Sequence, residues 1–111
     1  MVTVRLVCNP RFGGSANQNL KRTLSKIVPT ALDTAQDPIT CMDISIFDDS
    51  NPLSHHDVEV RIFVNDVPAR RENLDERRNQ IIDGLKHHLP AGTSIFVWIM
   101  CASVSCAGAT A

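Results

Sequence analysis

Two stretches of the chain read alike: "VTVRLVCN" (Val2–Asn9) and "VEVRIFVN" (Val58–Asn65). Valine, valine, arginine and asparagine recur at matching places, 56 residues apart. Each stretch is apolar at every second position, the period of a β-strand with one buried face. Val2, Val4, Leu6 and Cys8 share a face of the first; Val58, Val60, Ile62 and Val64 share a face of the second.

The likeness continues outward. "NLKRTLSKIV" (Asn19–Val28) resembles "NLDERRNQII" (Asn73–Ile82), now 54 residues apart. Each is followed by a second apolar run, "ITCMDISIF" (Ile39–Phe47) or "SIFVWIMCA" (Ser94–Ala102). Each half therefore reads strand, helix, strand. The repeats run over about 2–47 and 58–102, with a tail at 103–111, inside one domain covering 1–111. Two copies are too few to stack as a solenoid.

The helices have local causes. Ser15-Ala-Asn-Gln18 and Asn73-Leu-Asp-Glu76 have capping-box spacing, in which two side chains satisfy each other's orphan amides. This predicts helix starts near Ser15 and Asn73. Ala16, Leu20, Leu24, Ile27 and Ala31 form one stripe; Leu74, Ile81, Ile82, Leu85 and Leu89 form the other. Pro29 is expected to kink or loosen the last turn of the first helix. Pro90 and Gly92 end the second.

Met42, Ile44 and Ile46 read as a third apolar row, expected to meet the helices. The opposite face of these strands is mixed: Thr3, Arg5 and Val7; Asp43 and Ser45; Glu59, Arg61 and Phe63. The last strand is apolar on both sides, with Phe96, Trp98 and Met100 against Ile95, Val97 and Ile99. Such a strand needs cover on both faces. Two helices cover one face of a four-stranded sheet, so a second copy of the chain is expected on the other. Asp43 and Glu59 could pair there with Arg5 and Arg61, within or between subunits.

Composition narrows the function classes. The chain has 111 residues, 43% hydrophobic and 21% charged, as a globular domain does. Its formal net charge of −1 offers no basic excess for nucleic acid. No apolar run reaches the roughly 18 residues that suggest a membrane span. The opening "MVTVRLVCNP" lacks a signal-peptide plan, so the expected location is the cytoplasm. Cys8, Cys41, Cys101 and Cys106 form no C-x-x-C pair and read as structural thiols. His55-His56 and His87-His88 have no partner at helical ligand spacing, so no metal or other cofactor is expected.

Two places resist the bland reading. "CNPRFGGS" (Cys8–Ser15) joins a strand to a helix. It resembles the Asn-Pro-x-x-Gly-Gly opening of diacylglycerol-kinase-like lipid kinases over about a dozen residues. The chain lacks those kinases' downstream Gly-Gly-Asp-Gly, and lacks a P-loop Lys-Ser/Thr pair. A plain strand-to-helix turn suffices. Arg78 falls in an apolar stripe where the first repeat has Leu24. A charge there must snorkel, pair or face a ligand.

Two β-α-β units of this size, a two-faced sheet and a short tail resemble the tautomerase superfamily, which includes macrophage migration inhibitory factor and 5-carboxymethyl-2-hydroxymuconate isomerase. The resemblance covers nearly the whole chain and rests on element order, spacing and the internal repeat. It implies an α/β fold, β-α-β-β-α-β, with helices on one face of a four-stranded sheet. A ferredoxin-like fold shares that element order and is the alternative. The resemblance also implies a homotrimer and isomerase chemistry on a small carboxylate-bearing compound. The family's base is an amino-terminal proline, whereas this chain reads Met1-Val2 and its first proline is Pro10. With Met1 removed, the Val2 amine takes that place; with Met1 retained, a noncatalytic oligomeric binding or structural protein is the expectation. By position, Arg11 matches the family's arginine after the first strand, and Arg70 and Arg71 match it in the second repeat. The resemblance therefore implies that these three hold a substrate carboxylate, with Arg78 a further candidate.

Overall fold

The computed structural model describes residues 2–9, 13–48 and 56–102, leaving aside the side chains of 13–16. Eight elements follow one another. They are β1 (Val2–Cys8), α1 (Gly13–Leu32), a 3-10 turn (Cys41–Asp43), β2 (Ile44–Asp48), β3 (Val58–Asn65), α2 (Pro68–Arg71), α3 (Leu74–Lys86) and β4 (Ile95–Ala102).

The four strands form one sheet in the order β2-β1-β3-β4. β1 pairs with β2 in parallel and β3 with β4 in parallel, while β1 and β3 run antiparallel at the centre. Each repeat is thus a β-α-β unit whose two strands are direct neighbours. In a ferredoxin-like sheet the β-α-β units are split by an inserted strand. The pairing Val2↔Ile44 rules out that alternative.

The alternating valines do what their period requires. Val2, Val4 and Leu6 of β1 and Val58, Val60, Ile62 and Val64 of β3 are buried on the helix side. They meet Leu20, Leu24 and Val28 of α1 and Ile81 and Leu85 of α3. Gly84 of α3 faces Ile27 of α1; a Cβ on Gly84 would stand 2.6 Å from Ile27 Cδ1.

Several local expectations need correction. α1 begins at Gly13, so Ser15 lies inside its first turn rather than ahead of it. Asn73 does precede α3, but its side chain makes no cap; its Oδ1 accepts instead from Arg77 Nε at 2.7 Å. α1 runs through Pro29 to Leu32, and the Asp33 amide donates to Pro29 O at 2.9 Å. Residues 39–43 are not strand. Ile39 is buried in the core, whereas Met42 is 91% exposed in the 3-10 turn. Asp43 causes the turn: its carboxylate accepts from the Thr40 amide and hydroxyl, folding the chain back before β2 can start.

Among the described residues, no helix lies on the other side of the sheet. Phe47, Phe96, Trp98 and Met100 are exposed there, with Phe63 edge-on to Trp98 at 5.8 Å between ring centres.

Candidate functional site

All three expected second-repeat arginines are ordered, and the fold treats each differently. β3 ends at Asn65, and the short helix α2 turns Arg70 back towards the end of α1. Arg70 is 0% exposed. Its Nε donates to Leu32 O at 2.8 Å, Nη1 to Asn65 O at 3.0 Å and to Asp37 Oδ2 at 2.8 Å, and Nη2 to Asp37 O at 2.6 Å. A guanidinium has five N–H donors, so four are spent within the chain. Arg71 is exposed, with Nε 2.8 Å from Asp66 Oδ1. Arg78 snorkels to the surface, with Nη1 3.3 Å from Asp75 Oδ1. Arg11 lies outside the described residues, as do Cys106 and residues 10 and 12 of the turn before α1.

Arg77 is the arginine that sequence reasoning passed over. Its Nη1 donates to Ala31 O at 2.8 Å and Asp33 O at 3.2 Å, and Nη2 to Ala69 O at 3.4 Å. A helix leaves its last carbonyls without amide partners. Arg70 and Arg77 together satisfy those at the end of α1, where cations also suit the helix dipole. The only sequence signal was their number in "RRENLDERR" (70–78), which looks like a solvated charge run.

Val2 stands at the start of β1, 1% exposed. It lines a cleft of about 80 Å³ with Asp37, Ile39, Asp43, Val64 and Asn65. The start of β1, the end of β3 and the segment between α1 and β2 meet here. Arg70 positions two members of the lining, Asp37 and Asn65, without entering the cleft lining itself. Asp43 is held below the usual carboxylate range, first by the Thr40 amide and then by the Thr40 hydroxyl. The cleft is therefore acidic and polar.

Two of the thiols, Cys8 and Cys101, are held protonated by burial. Burial pushes the Cys8 thiol up to about 11, with Asp48 adding to the effect. Burial, then Asp66, also raises Cys101. Among the described residues, no group of three or more His, Cys, Asp or Glu side chains is placed to hold a metal ion, and no helix is long and apolar enough to cross a membrane.

Solved structures share this architecture. The crystal structure of Leishmania major MIF2 matches 92% of this chain and 89% of its own, at TM-score 0.54 and 14% identity. FG41 malonate semialdehyde decarboxylase, inhibited by 3-bromopropiolate, matches 93% of this chain and 83% of its own, at TM-score 0.56 and 13% identity. Both are tautomerase-superfamily proteins. The fold is tautomerase-like. The likeness covers both repeats and includes the helices on one face of a four-stranded mixed sheet. No protein-family model matches the chain, and no curated protein sequence matches it.

Proposed function

We propose that this tautomerase-like protein self-associates through the helix-free face of its sheet and isomerises a small keto–enol compound at the cleft beside Val2. The observation that supports the site is the position of Val2, buried at the start of the central strand β1 and lining a cleft with Asp37, Asp43 and Asn65. With Met1 removed, the Val2 amine faces this lining. As an ammonium it delivers a proton to the enol carbon, the enol O–H gives its proton to water, and the amine is recharged from solvent. Arg70 acts as a positioning residue for Asp37 and Asn65. Arg71 holds a substrate carboxylate only by leaving Asp66, and Arg11 is the remaining candidate for that role.

A second reading is favoured by the exposed aromatic face: a noncatalytic binding or structural protein on the same scaffold, trimeric and cytoplasmic. Intact mass separates the two, because retained Met1 leaves Val2 without a free amine. Loss of Met1 together with turnover of a keto–enol substrate supports the first reading. Loss of Met1 with no turnover across aromatic and aliphatic enols overturns it.

A further inference from the structure

The helix-free face contains an arrangement that neither reading uses. Arg5 of β1 lies directly opposite Arg61 of β3 in the antiparallel register. Arg5 is also in register with Phe47 of β2, and Arg61 with Trp98 of β4. One row across the four strands therefore reads Phe47, Arg5, Arg61, Trp98, all on the same face and all exposed.

Like charges directly opposite on a sheet repel. Glu59 gives partial relief, with its Oε2 3.5 Å from Arg61 Nη2. The Arg5 side chain has no ion-pair or hydrogen-bond partner among the described residues. The row therefore carries two guanidinium groups and no carboxylate; Glu59, in register with Val7 and Phe96, pairs with Arg61 alone.

We propose that Arg5 and Arg61 jointly bind one oxyanion, a phosphate or carboxylate group, between Phe47 and Trp98. Each guanidinium offers a planar fork of N–H donors that matches two oxygens of such a group. The pair is opposed within a single chain, so the site does not rest on self-association. If another copy covers the face, the anion offsets the charge that would otherwise be buried unpaired.

Trp98 is the sole tryptophan and stands next to Arg61 in register, so its emission reports on the site. The native protein is titrated with sodium phosphate, and separately with sodium acetate, at ionic strength held constant with sodium chloride. A saturable change in Trp98 emission is expected with phosphate or acetate, and the stronger of the two names the source of the oxyanion. Arg5→Gln and Arg61→Gln should each weaken binding about tenfold or more, the loss of a charge-assisted contact. Arg5→Lys should bind with intermediate strength, because it keeps the charge and loses the fork. Both arginines are exposed, so these variants keep the core; circular dichroism checks that they do. The proposal is overturned if chloride alone produces the same change, or if Arg5→Gln and Arg61→Gln bind as tightly as the native chain.

Discussion

Arg70 Nη2 donates to the main-chain oxygen of Asp37 at 2.6 Å, while Nη1 meets the same residue's carboxylate at 2.8 Å. One buried guanidinium from the second repeat thus closes the loop that follows α1 in the first. It also reaches Leu32 O and Asn65 O. The two repeats are tied together at the end of the sheet that carries Val2.

Arg70→Ala should therefore cost several kcal/mol, because it leaves the carbonyls of Leu32, Asp37 and Asn65 without their donor, at about 1–3 kcal/mol for each one that stays buried. Arg70→Lys should recover little, because an ammonium cannot reproduce the planar fork. Arg71→Ala, at the exposed pair with Asp66, should cost less than about 1 kcal/mol. Urea unfolding of the three variants checks this; equal losses for Arg70→Ala and Arg71→Ala would contradict it.

Gly84 is needed for helix packing. In Gly84→Ala the new methyl meets Ile27 Cδ1, which must move from 2.6 Å. Overpacking of this kind costs about 1–3 kcal/mol. Ile27→Ala removes the obstruction, so the double variant should be more stable than the sum of the single losses implies. Thermal unfolding of the full cycle measures the coupling, and simple additivity would show that the helices do not meet there.

The Cys8 thiol makes alkaline stability a readout of its burial. Its value rises from 9.0 when unfolded to about 11 in the fold. Between those values the unfolded chain has lost the proton and the folded chain retains it. Stability is thus unaffected by this group below pH 9 and falls as pH rises from 9 towards 11. Cys8→Ala should make that fall shallower, as denaturant midpoints at several pH values would show. The same burial keeps Cys8 slow to alkylate, because the thiolate is the nucleophile.

On the proposed reading, copies of the chain meet through the exposed aromatic face. Sedimentation of the native protein should give three times the 12.2 kDa chain mass. Trp98→Glu places a charge among Phe63, Phe96 and Met100 and should shift the distribution to a single chain. A native protein that is monomeric at high concentration would remove the reason for covering this face.

Arg78→Leu should change stability by no more than about 0.5 kcal/mol, as surface substitutions usually do. Arg78 is half-buried along its stem, and its guanidinium is at the surface beside Asp75, so the apolar stripe of α3 closes without it. Urea midpoints decide it.

The sequence by itself determined the element order and the buried face of each strand. Valines two apart cannot all be hidden except on one side of a strand, and leucines three and four apart cannot except along one side of a helix. The repeat of Val2–Asn9 at Val58–Asn65 made the two halves legible without any contact. Only the tertiary structure decided the rest. Strand neighbours depend on which edges meet, so the pairing of β1 with β2 rather than a split arrangement was not written in either strand. The roles of the arginines were hidden for the same reason. Arg70, Arg71, Arg77 and Arg78 are chemically alike along the chain, and separate only when α2 and α3 place them. Arg70 and Arg77 then reach the unpaired carbonyls that end α1, more than thirty residues earlier, while the other two remain at the surface. A carbonyl's need for a donor is local, but the donor that meets it is chosen by the fold.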